Sequence, residues 1–543
     1  MFFISRDSSL ITASVVFKNM KCLECGRRRR IESEVKAVMR NLLCVAAGAV
    51  LFTIPFAGAQ TVTSFEGIDA STPGNAATLR VVDPNGAVGT KQYLEWIDTA
   101  YQGYNKTTFA PVYSTLPSGD TPWVQAGQTN CEGTAGNGVA IFDHLASRWV
   151  IAVRQGSNVT GIYYFCVAVS NTDDLTAANF AWLAYTIPLD PLLGTNAQGS
   201  TYFPDYPKIA TWADAYYITI DLEDPNNKYQ EVGALVCALD RADMLTGSTP
   251  RTPQCFRYPS PPTGALFLGH SLYPADIEGT LAPPTGTPES LVSIENPASG
   301  NTSQALNFWS FHVNWTTPSL STFTGPKTVT VPSYIPGCYD VASPTNTVCV
   351  PEPTTSTSNN YIDSVGDRLM HRFAYRRFTN ASPYQTYLIS HDVQVGSGSL
   401  SQTGIRWYEF NPGGGLLNSG TINPGDGNYR FVPSVAQDSD GNLAAGYSVS
   451  GTAEHPSIAA SYLNLRGGSS TPTEVTLFDG TADEENAYHW GGYTSMTVDP
   501  VDDCTFWYVN EYFTVPQTGT LVTWQTRISN FKLPSCTTAS RVK

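Results

Sequence analysis

The sequence predicts an all-β protein: a β-propeller with seven blades of four antiparallel strands, stapled by disulfides, with six blades as the alternative. The first observation is a recurring phrase of a short apolar strand, an Asp-centred turn and an aromatic-rich strand. The second is its spacing of about 60 to 90 residues, the length of one unit in a radial array. The third is the composition, with 45 Gly, 37 Pro and 12% aromatic residues, which suits turns and strands. The copies lie at 139–153, 208–222, 434–449 and 495–513, with looser ones at 291–315 and 368–395.

The N-terminal part of the chain has the pattern of an export signal. From Met39 it reads MRNLLCVAAGAVLFTIPFAGAQ, with a basic residue, an apolar run and small residues before the glutamine. These are the three parts of a secretory signal peptide. The apolar run is shorter than the ~20 residues of a membrane-spanning helix. We therefore predict a signal peptide at 39–59, cleavage after Ala59, and an extension at 1–38 that precedes the true start.

The charge balance of the mature chain excludes two classes of partner. Residues 1–59 hold 9 basic and 4 acidic side chains, so their removal changes the formal net charge from −15 to −20. Nucleic acids and anionic membranes need a basic face, so neither is an expected partner. An extracellular polysaccharide or a surface glycan stays open as a partner, and we expect a monomer.

The cysteines indicate an oxidising compartment, extracellular or periplasmic. Eight of the eleven follow residue 59, and an even number in an exported chain predicts disulfides. Pairing of neighbours within one blade is the economical arrangement. Each such bridge contributes about 2–4 kcal/mol in the chain-entropy model. The expected pairs are Cys131 with Cys166, Cys237 with Cys255, Cys338 with Cys349, and Cys504 with Cys536.

Alternation and turn signals divide the mature chain into a leader and a single propeller domain. The leader, 60–85, is expected to lend one strand to the last blade. The propeller spans 86–536, and 537–543 is predicted to be a disordered tail. Pro-rich stretches at 256–288 and 339–360 are interpreted as long loops. The first two predicted blades begin at 92 and 139. The other five cover 208–255, 291–331, 365–420, 428–478 and 490–534.

Several segments together resemble an uncharacterised family of secreted bacterial β-propeller proteins, which is distantly similar to sialidase-like and NHL-like propellers. They are DYPKI at 205–209, GDRLMHRFAYRRF at 366–378, GIRWYEF at 404–410, DSDGNLAAGYSVSG at 438–451 and SMTVDPVDDCTFWYVNEY at 495–512. The resemblance covers most of the mature chain and implies a fold and an export route. The chain departs from the family pattern at Asn137 and Gly492, where relatives tend to have an acid before the inner strand.

Polar residues just ahead of the repeats are the first candidates for a site. The inner strands of a propeller begin near one mouth of its channel, so residues there converge from different blades. Two carboxylates facing each other could act as general acid and as base or nucleophile on a glycosidic bond. The alternative is that such an acid caps a turn. The catalytic candidates are Asp205 and Asp367, and the ligand-binding candidates are Asn137, Arg368, Tyr429, Arg430, His489 and Tyr493.

Other acids compete for a functional role. Asp276 and Glu278 are further catalytic candidates, assigned to the long loop before the fourth blade, because loops on rigid scaffolds carry function. Glu409 is expected to be a solvated strand residue. The DSDGN segment at 438–442 resembles part of a calcium loop, but its later acidic ligands are missing, and a hairpin turn explains it more simply. No cofactor is expected, with calcium as a weak alternative.

Two function classes remain open for this chain. HExxH, GxSxG and a helix-opening GxGxxG are all absent from the sequence, which disfavours a zinc protease, an α/β-hydrolase and a dinucleotide-binding enzyme. The first remaining class is a carbohydrate-active enzyme, a glycoside hydrolase or lyase, that uses carboxylates at the channel mouth. The second is a non-catalytic extracellular or cell-surface propeller that binds a glycan or a protein. Fold alone does not decide between them.

Overall fold

The computed structural model describes most of the chain after residue 60. The chain separates into two compact units, Met1–Gly58 and Ala59–Lys543, and every described residue lies in the second. The predicted signal peptide, the 1–38 extension, the 537–543 tail and His489 lie outside the described residues. Those described are 61–72, 82–97, 100–133, 136–157, 161–259, 271–295, 303–339, 348–354, 361–379, 383–396, 402–469, 471–484, 490–517 and 522–536.

Strands dominate the first half of the unit. Of the first twelve strands, one belongs to the last sheet, and the other eleven form one three-stranded and two four-stranded sheets. They are β1 (Thr63–Asp69), β2 (Asn85–Val88), β3 (Gln92–Ile97), β4 (Ala100–Asn105), β5 (Val139–Asp143), β6 (Arg148–Ser157), β7 (Ile162–Ser170), β8 (Trp182–Pro188), β9 (Phe203–Thr211), β10 (Tyr216–Asp224), β11 (Gln230–Leu239) and β12 (Gln254–Pro259).

The second half continues in the same way, with antiparallel neighbours joined by short turns. Its strands are β13 (Tyr273–Glu278), β14 (Glu289–Ile294), β15 (Ser303–His312), β16 (Thr322–Tyr334), β17 (Val348–Val350), β18 (Ile362–Asp363), β19 (Met370–Phe378), β20 (Tyr384–Gln394), β21 (Thr403–Phe410), β22 (Leu416–Ile422), β23 (Tyr429–Gln437), β24 (Leu443–Gly451), β25 (Glu454–Leu463), β26 (Thr473–Phe478), β27 (Ser495–Val498), β28 (Thr505–Phe513) and β29 (Trp524–Lys532).

Helices are short and lie in the connections. The described α-helices are α1 (Thr121–Gln125), α2 (Asp190–Leu193) and α3 (Arg241–Met244), and 3₁₀ turns lie at Thr129–Cys131 and Pro318–Leu320. The prediction of an all-β protein is confirmed. Among the described residues, no helix is long and apolar enough to cross a membrane.

The sheets are meanders whose first strands contact one another in a closed order. β5–β8, β9–β12 and β23–β26 each form a four-stranded antiparallel sheet, and β2–β4 forms a three-stranded one. The first strands contact in the cycle β2, β5, β9, β13, β19, β23, β27 and back to β2. A ring of first strands with later strands outside it is the arrangement of a β-propeller.

One feature prevents the sheets from confirming seven blades. β13–β16 and β19–β22 are joined into a single eight-stranded sheet, because β13 and β19 pair in parallel from Ala275↔Phe373 to Glu278↔Arg376. A further two-stranded ladder joins β17 and β18. The count of seven therefore stays a prediction.

The fourth predicted blade begins earlier than the sequence analysis placed it. The stretch 256–288 was predicted to be a loop, but β13 lies within it and pairs with β14 and β19. Its sequence YPADIE contains a proline and two acids, which disfavour a strand. Parallel pairing with β19 stabilises it, and Arg372 of β19 neutralises both acids. Local pattern could not reveal either contact.

Aromatic and aliphatic side chains fill the space between neighbouring sheets, and each core cluster combines residues of adjacent meanders. At the junction of the first and last sheets, the rings of Tyr93 and Trp507 stack with centroids 5.6 Å apart. Such wedge-filling aromatics explain why the repeats end in aromatic-rich strands. The four predicted disulfides are confirmed: Cys131–Cys166, Cys237–Cys255, Cys338–Cys349 and Cys504–Cys536.

β1 closes the ring. It pairs antiparallel with β29, from Thr63↔Asn530 to Asp69↔Gln525, so the leader lends a strand to the last sheet as predicted. The buried Glu95 carboxylate of β3 accepts hydrogen bonds from the Ile68 backbone at 2.9 Å and from the Tyr104 hydroxyl at 3.1 Å. The first and last sheets are thereby tied together through β1.

We expect a chain that begins at Val82 to unfold at a lower temperature than one that begins at Gln60. Without β1, β29 loses its outer partner and Ile68, 1% exposed, leaves the core. Burial of one such side chain alone contributes about 1.5–3 kcal/mol. Differential scanning calorimetry of the two chains measures the loss, and equal melting temperatures would contradict the closing role of β1.

Candidate functional site

Polar side chains converge where the first strands begin. The φ angles of Asp83, Asn137 and Tyr206 are 43°, 66° and 48°, so three non-glycine residues, two just before β2 and β5 and one in the first half of β9, are left-handed. Such strained positions cluster at functional sites. We call this group the mouth cluster: Asp83, Asn137, Asp205, Tyr206, Lys208, Asp221, Glu223, Tyr273, Arg368, His371 and Tyr493.

A β-bulge aims the β9 residues into this cluster. Asp205 lies opposite Asp221, and Lys208 lies opposite Thr219, so the partner strand β10 has one residue where β9 has two, Tyr206 and Pro207. Bulges bend a strand and redirect its side chains, and they are common near active sites. The sequence DYPK therefore brings both a carboxylate and an ammonium group to the mouth.

Lys208 is the centre of the mouth cluster and was not a sequence candidate. Its side chain is 2% exposed, and its Nζ lies 3.3 Å from the ring centroid of Tyr206 and 4.2 Å from that of Tyr493. The ammonium donates a hydrogen bond to the Pro207 carbonyl at 3.1 Å. Burial lowers its pKa to about 7, although Asp83 and other nearby carboxylates raise it.

Asp83 provides a carboxylate beside Gly492. The Gly492 backbone N–H donates to its Oδ1 at 2.5 Å, and a Cβ at residue 492 would lie 3.2 Å from the same oxygen. The Tyr206 hydroxyl donates to the Gly492 carbonyl at 2.9 Å. Burial raises the pKa of Asp83, while the Gly492 hydrogen bond and the Lys208 charge oppose that shift. The Asp83 carboxylate therefore lies beside residue 492, although residue 492 itself is glycine.

Asp205 and Glu223 are the acids of the cluster that solvent reaches, since both are half-buried. Asp205 accepts a hydrogen bond from the Asn137 amide at 2.9 Å. Glu223 lies two residues beyond Asp221 on the same face of β10, so it shares the face that Asp205 meets. Burial, together with the charges of Asp205 and Asp221, raises the pKa of Glu223 to about 8. The alternation Asp221-x-Glu223 is the signal by which the sequence could have revealed it.

Asp367 and Arg368 form an ion pair at the edge of the cluster. Arg368 donates from Nε to one Asp367 oxygen at 2.8 Å and from Nη2 to the other at 3.2 Å. Its guanidinium carbon lies 4.8 Å from the Tyr206 ring centroid. The structure therefore brings the predicted residues Asn137, Asp205 and Arg368 together. Asp367 is connected to the cluster by its ion pair with Arg368.

His371 and Tyr493 line the inner wall. The Tyr493 hydroxyl donates to the Gly138 carbonyl at 2.8 Å, and its ring centroid lies 6.0 Å from that of His371. His371 is 3% exposed, and its Nε2 has no hydrogen-bond partner among the described residues. Burial, together with the charges of Lys208 and Arg372, lowers its pKa well below the usual value. A neutral imidazole therefore sits beneath the cluster.

Asp276 and Glu278 belong to a separate, deeper group. Both are on β13 and are almost fully buried, so their assignment to the long loop before the fourth blade is wrong. Arg372 donates to Asp276 Oδ2 at 2.9 Å and also to Glu278, and His144 Nε2 lies 3.4 Å from Glu278. Burial raises the pKa of Asp276 to about 6; at Glu278 burial also raises the pKa, but Arg372 and His144 outweigh it and the pKa is lowered. These acids neutralise Arg372 inside the ring.

The other sequence candidates do not join the mouth cluster. Arg430 is fully buried and pairs with Asp426 at 2.8 Å and with Glu474, on the outer strand of its own sheet, at 2.7 Å. Tyr429, which precedes it, packs in the core cluster that contains Phe431. His489 lies outside the described residues, so its role stays a prediction.

Two remaining acidic motifs have structural roles. Glu409 was expected to be solvated, but it is 0% exposed and pairs with Arg466 while accepting from Gln437 at 3.0 Å. Asp438 accepts from the Asn442 backbone at 2.9 Å and from its side chain at 2.7 Å, which is a closed turn. Within the described ranges, no group of three or more His, Cys, Asp or Glu side chains is placed to hold a metal ion.

Comparisons with known proteins give distant structural likenesses only. No protein-family model and no curated protein matches the chain. An α-L-arabinanase of Penicillium chrysogenum complexed with arabinobiose is 9% identical, with a TM-score of 0.36, over 88% of this chain and 100% of that one. A protein of unknown function from Dyadobacter fermentans is 10% identical, with a TM-score of 0.36, over 87% and 99%. A GH93 α-L-arabinofuranosidase of Fusarium graminearum is 9% identical, with a TM-score of 0.36, over 86% and 97%. At these values the likenesses carry no argument about activity.

We expect the Lys208 amine to titrate near pH 7, far below the usual value of 10.5, because burial among tyrosine rings disfavours its charged form. NMR of protein labelled with ¹³C at lysine Cε measures the titration, and the resonance absent from Lys208→Met assigns it. A Lys208 resonance that stays unchanged up to pH 9 would contradict this description of the site.

Proposed function

We propose that the mouth cluster binds a neutral glycan and hydrolyses its glycosidic bonds, with Glu223 as proton donor and Asp205 as base or nucleophile. One observation carries the proposal: two half-buried carboxyl groups from neighbouring strands lie on the same face of one sheet, within the mouth cluster. Glycoside hydrolysis needs two carboxyl groups on either side of the bond, one protonated and one ionised.

The surroundings of the two acids support different roles for them. A pKa of about 8 keeps Glu223 protonated at neutral pH, as a general acid requires. Asp205 accepts a hydrogen bond from Asn137, which fixes its orientation. A protonated carboxyl group beside a second, oriented carboxyl group is the pattern of acid–base catalysis.

The charge of the mouth supports a neutral substrate. Among the described residues, the carboxyl groups of Asp83, Asp205, Asp221 and Glu223 face the cations Lys208, Arg368 and Arg154, and Glu223 is protonated at neutral pH. The mouth therefore has no excess of positive charge to attract a uronate or sulfate group, which disfavours the lyase alternative on acidic polysaccharides. Arg368, whose side chain is 21% exposed, and half-buried Asn137 are N–H-bearing side chains of the cluster that solvent reaches.

The proposal also covers the number of blades, the export of the protein and its place of action. We propose that β13–β16 and β19–β22 are two blades fused through one parallel strand pair, which gives seven blades in the ring. The four disulfides suggest an oxidising environment. We propose export by the 39–59 signal and action on polysaccharide outside the cell.

Glu223→Gln and Asp205→Asn are each expected to reduce hydrolysis by about 100- to 10,000-fold, the usual contribution of general acid–base catalysis. The measurement is reducing-end release from a panel of neutral polysaccharides, with binding read in parallel by affinity electrophoresis. Asp214→Asn is the matched control, because this half-buried acid lies in the turn at the far end of β9 and β10. Binding without cleavage in the wild type would favour the non-catalytic class and overturn the proposed hydrolysis.

The pH dependence tests the role of Glu223 separately. A proton donor acts only in its protonated form, and protonation of Glu223 is lost as pH rises through about 8. We therefore expect kcat/KM to fall tenfold per pH unit above about 8. A plateau from pH 7 to 10 with a stable fold would exclude Glu223 as the proton donor.

A further inference from the structure

Aromatic rings lie beside Glu223, at the rim of the mouth cluster. Phe203 of β9 is paired directly with Glu223 of β10, so the two side chains project from the same face of the sheet. The centroid of the Phe203 ring lies 5.4 Å from that of Tyr229 and 5.8 Å from that of Tyr163, both edge to face. Tyr229 lies between β10 and β11, whereas Tyr163 belongs to β7. Rings from two neighbouring sheets therefore meet next to the proposed proton donor.

Tyr229 exposes a large ring at a strained position. The residue is 43% exposed, and the φ angles of Lys228 and Tyr229 are 53° and 57°. Left-handed backbone is unfavourable for bulky side chains, and glycine or asparagine would suit such a turn better. Strained residues persist where the surrounding structure holds them, and they are concentrated at functional sites. The strain at Tyr229 therefore points to a role for its ring.

The hairpin that carries Tyr229 is anchored to its surroundings. The Tyr229 backbone N–H donates to the Asp224 carbonyl at 3.0 Å. The Asp224 side chain accepts from the Asn196 amide at 2.7 Å and from the Asn226 backbone at 2.9 Å. The Asn226 amide donates to the Ser200 hydroxyl at 3.0 Å. Because the turn is held in this way, a ligand that packs on Tyr229 would lose little affinity to the ordering of the turn.

Arg154 of β6 adds a guanidinium group to these rings. Its side chain is half-buried, and its Cζ lies 4.8 Å from the Phe203 ring centroid. Its buried Nε has no hydrogen-bond partner among the described residues, and no carboxylate oxygen of those residues lies within 4.0 Å of its guanidinium nitrogens. Burial raises the pKa of Glu223, and the nearby charge of Arg154 opposes that rise. Since buried polar atoms are normally hydrogen-bonded, Arg154 is a candidate for a ligand contact. We call Arg154, Phe203 and Tyr229 the rim group.

The rim group offers the contacts that a neutral sugar needs. The apolar C–H face of a sugar ring can pack on an aromatic ring. A guanidinium presents a planar fork of N–H donors, which suits hydroxyls at the edge of the sugar. The cation of the group lies near the acids Asp205 and Glu223, so no positive excess attracts an acidic sugar.

The position of Glu223 decides which sugar of the glycan would contact the rim group. Asp205 pairs with Asp221, two residues before Glu223 on β10, whereas Tyr229 belongs to the hairpin that follows Glu223. Glu223 therefore lies between the second carboxyl group and the exposed ring. A proton donor protonates the leaving-group oxygen, and the second carboxyl group acts at the other side of the bond. The sugar on the hairpin side is then the leaving group.

We propose that Arg154, Phe203 and Tyr229 form a subsite for the leaving-group sugar of a neutral glycan, which packs on Tyr229 and accepts hydrogen bonds from Arg154. The assignment to the leaving-group side rests on the proposed hydrolysis, whereas the binding of a sugar at the rim group does not.

The first test compares substrates with and without a leaving-group sugar. The hexasaccharide probes are xylo-, manno-, cello- and maltohexaose. On the one that the mature wild type cleaves, we expect Arg154→Met and Tyr229→Ala each to lower kcat/KM about tenfold, which corresponds to about 1.4 kcal/mol. The loss should be much smaller on the glycosyl fluoride of the same sugar, because fluoride is too small to contact the rim group and leaves without a proton donor. An equal loss on both substrates, or no loss on the hexasaccharide, would overturn the proposal.

Arg377→Met is the matched control. Arg377 is a half-buried arginine at the end of β19 that lies away from the mouth, and it donates to the Ala282 carbonyl at 2.9 Å. This variant loses the same charge and should keep the wild-type rates on both substrates. A loss equal to that of Arg154→Met would indicate a general effect of charge and contradict the subsite. Arg154→Met keeps its apolar stem on Phe203, and Tyr229→Ala removes an exposed ring, so both should keep the wild-type melting temperature.

Isothermal titration calorimetry with the same hexasaccharides separates a failure of the subsite from a failure of the proposed hydrolysis. If the wild type binds a hexasaccharide without cleaving it, the hydrolysis is wrong, but about tenfold weaker binding by Arg154→Met and Tyr229→Ala would support the sugar subsite. Unchanged binding by the two variants would overturn it. A wild type that binds none of the hexasaccharides, or that binds oligogalacturonate more tightly, would overturn it as well.

Discussion

The antiparallel pairing of β1 with β29 is the constraint on which the remaining structure depends. A ring of sheets is stable only when the first and last are joined, because an unclosed ring leaves an unpaired edge and an exposed wedge of core. Here the joint has a backbone ladder, the stacked rings of Tyr93 and Trp507, and the buried Glu95 carboxylate that binds Ile68 and Tyr104. Once the ring is closed, seven first strands are held side by side and their starts meet at one end.

The convergence of these strand starts forms the mouth cluster. It also buries charged groups, which costs free energy. Lys208 is buried with a carbonyl and tyrosine rings as its contacts, and Asp83 is buried beside Gly492. Clusters of groups with shifted pKa values in a cleft are typical of functional sites, because a buried position with only a structural role favours apolar side chains. The deeper group around Arg372 differs, because its charges neutralise one another.

The sequence was informative wherever a signal is local. The recurring strand phrase, the leader strand and the four disulfides between neighbouring cysteines follow from periodicity and spacing, and the structure confirms each. Asn137 and Arg368 were identifiable because each precedes a first strand, and Asp205 because it lies near the beginning of β9. The errors fall on buried charges: Glu409 and the β13 acids were judged by polarity, while Arg466 and Arg372, distant in sequence, neutralise them.

By itself, the sequence determined the all-β class, the repeat and the candidates at strand starts, because side-chain alternation and turn residues are properties of short segments. Only the tertiary structure decided which polar residues come together. Lys208 carries no motif, and the alternation of Asp221 and Glu223 does not show what these acids face; a bulge in β9 and its register with β10 bring Lys208 and Glu223 to the mouth.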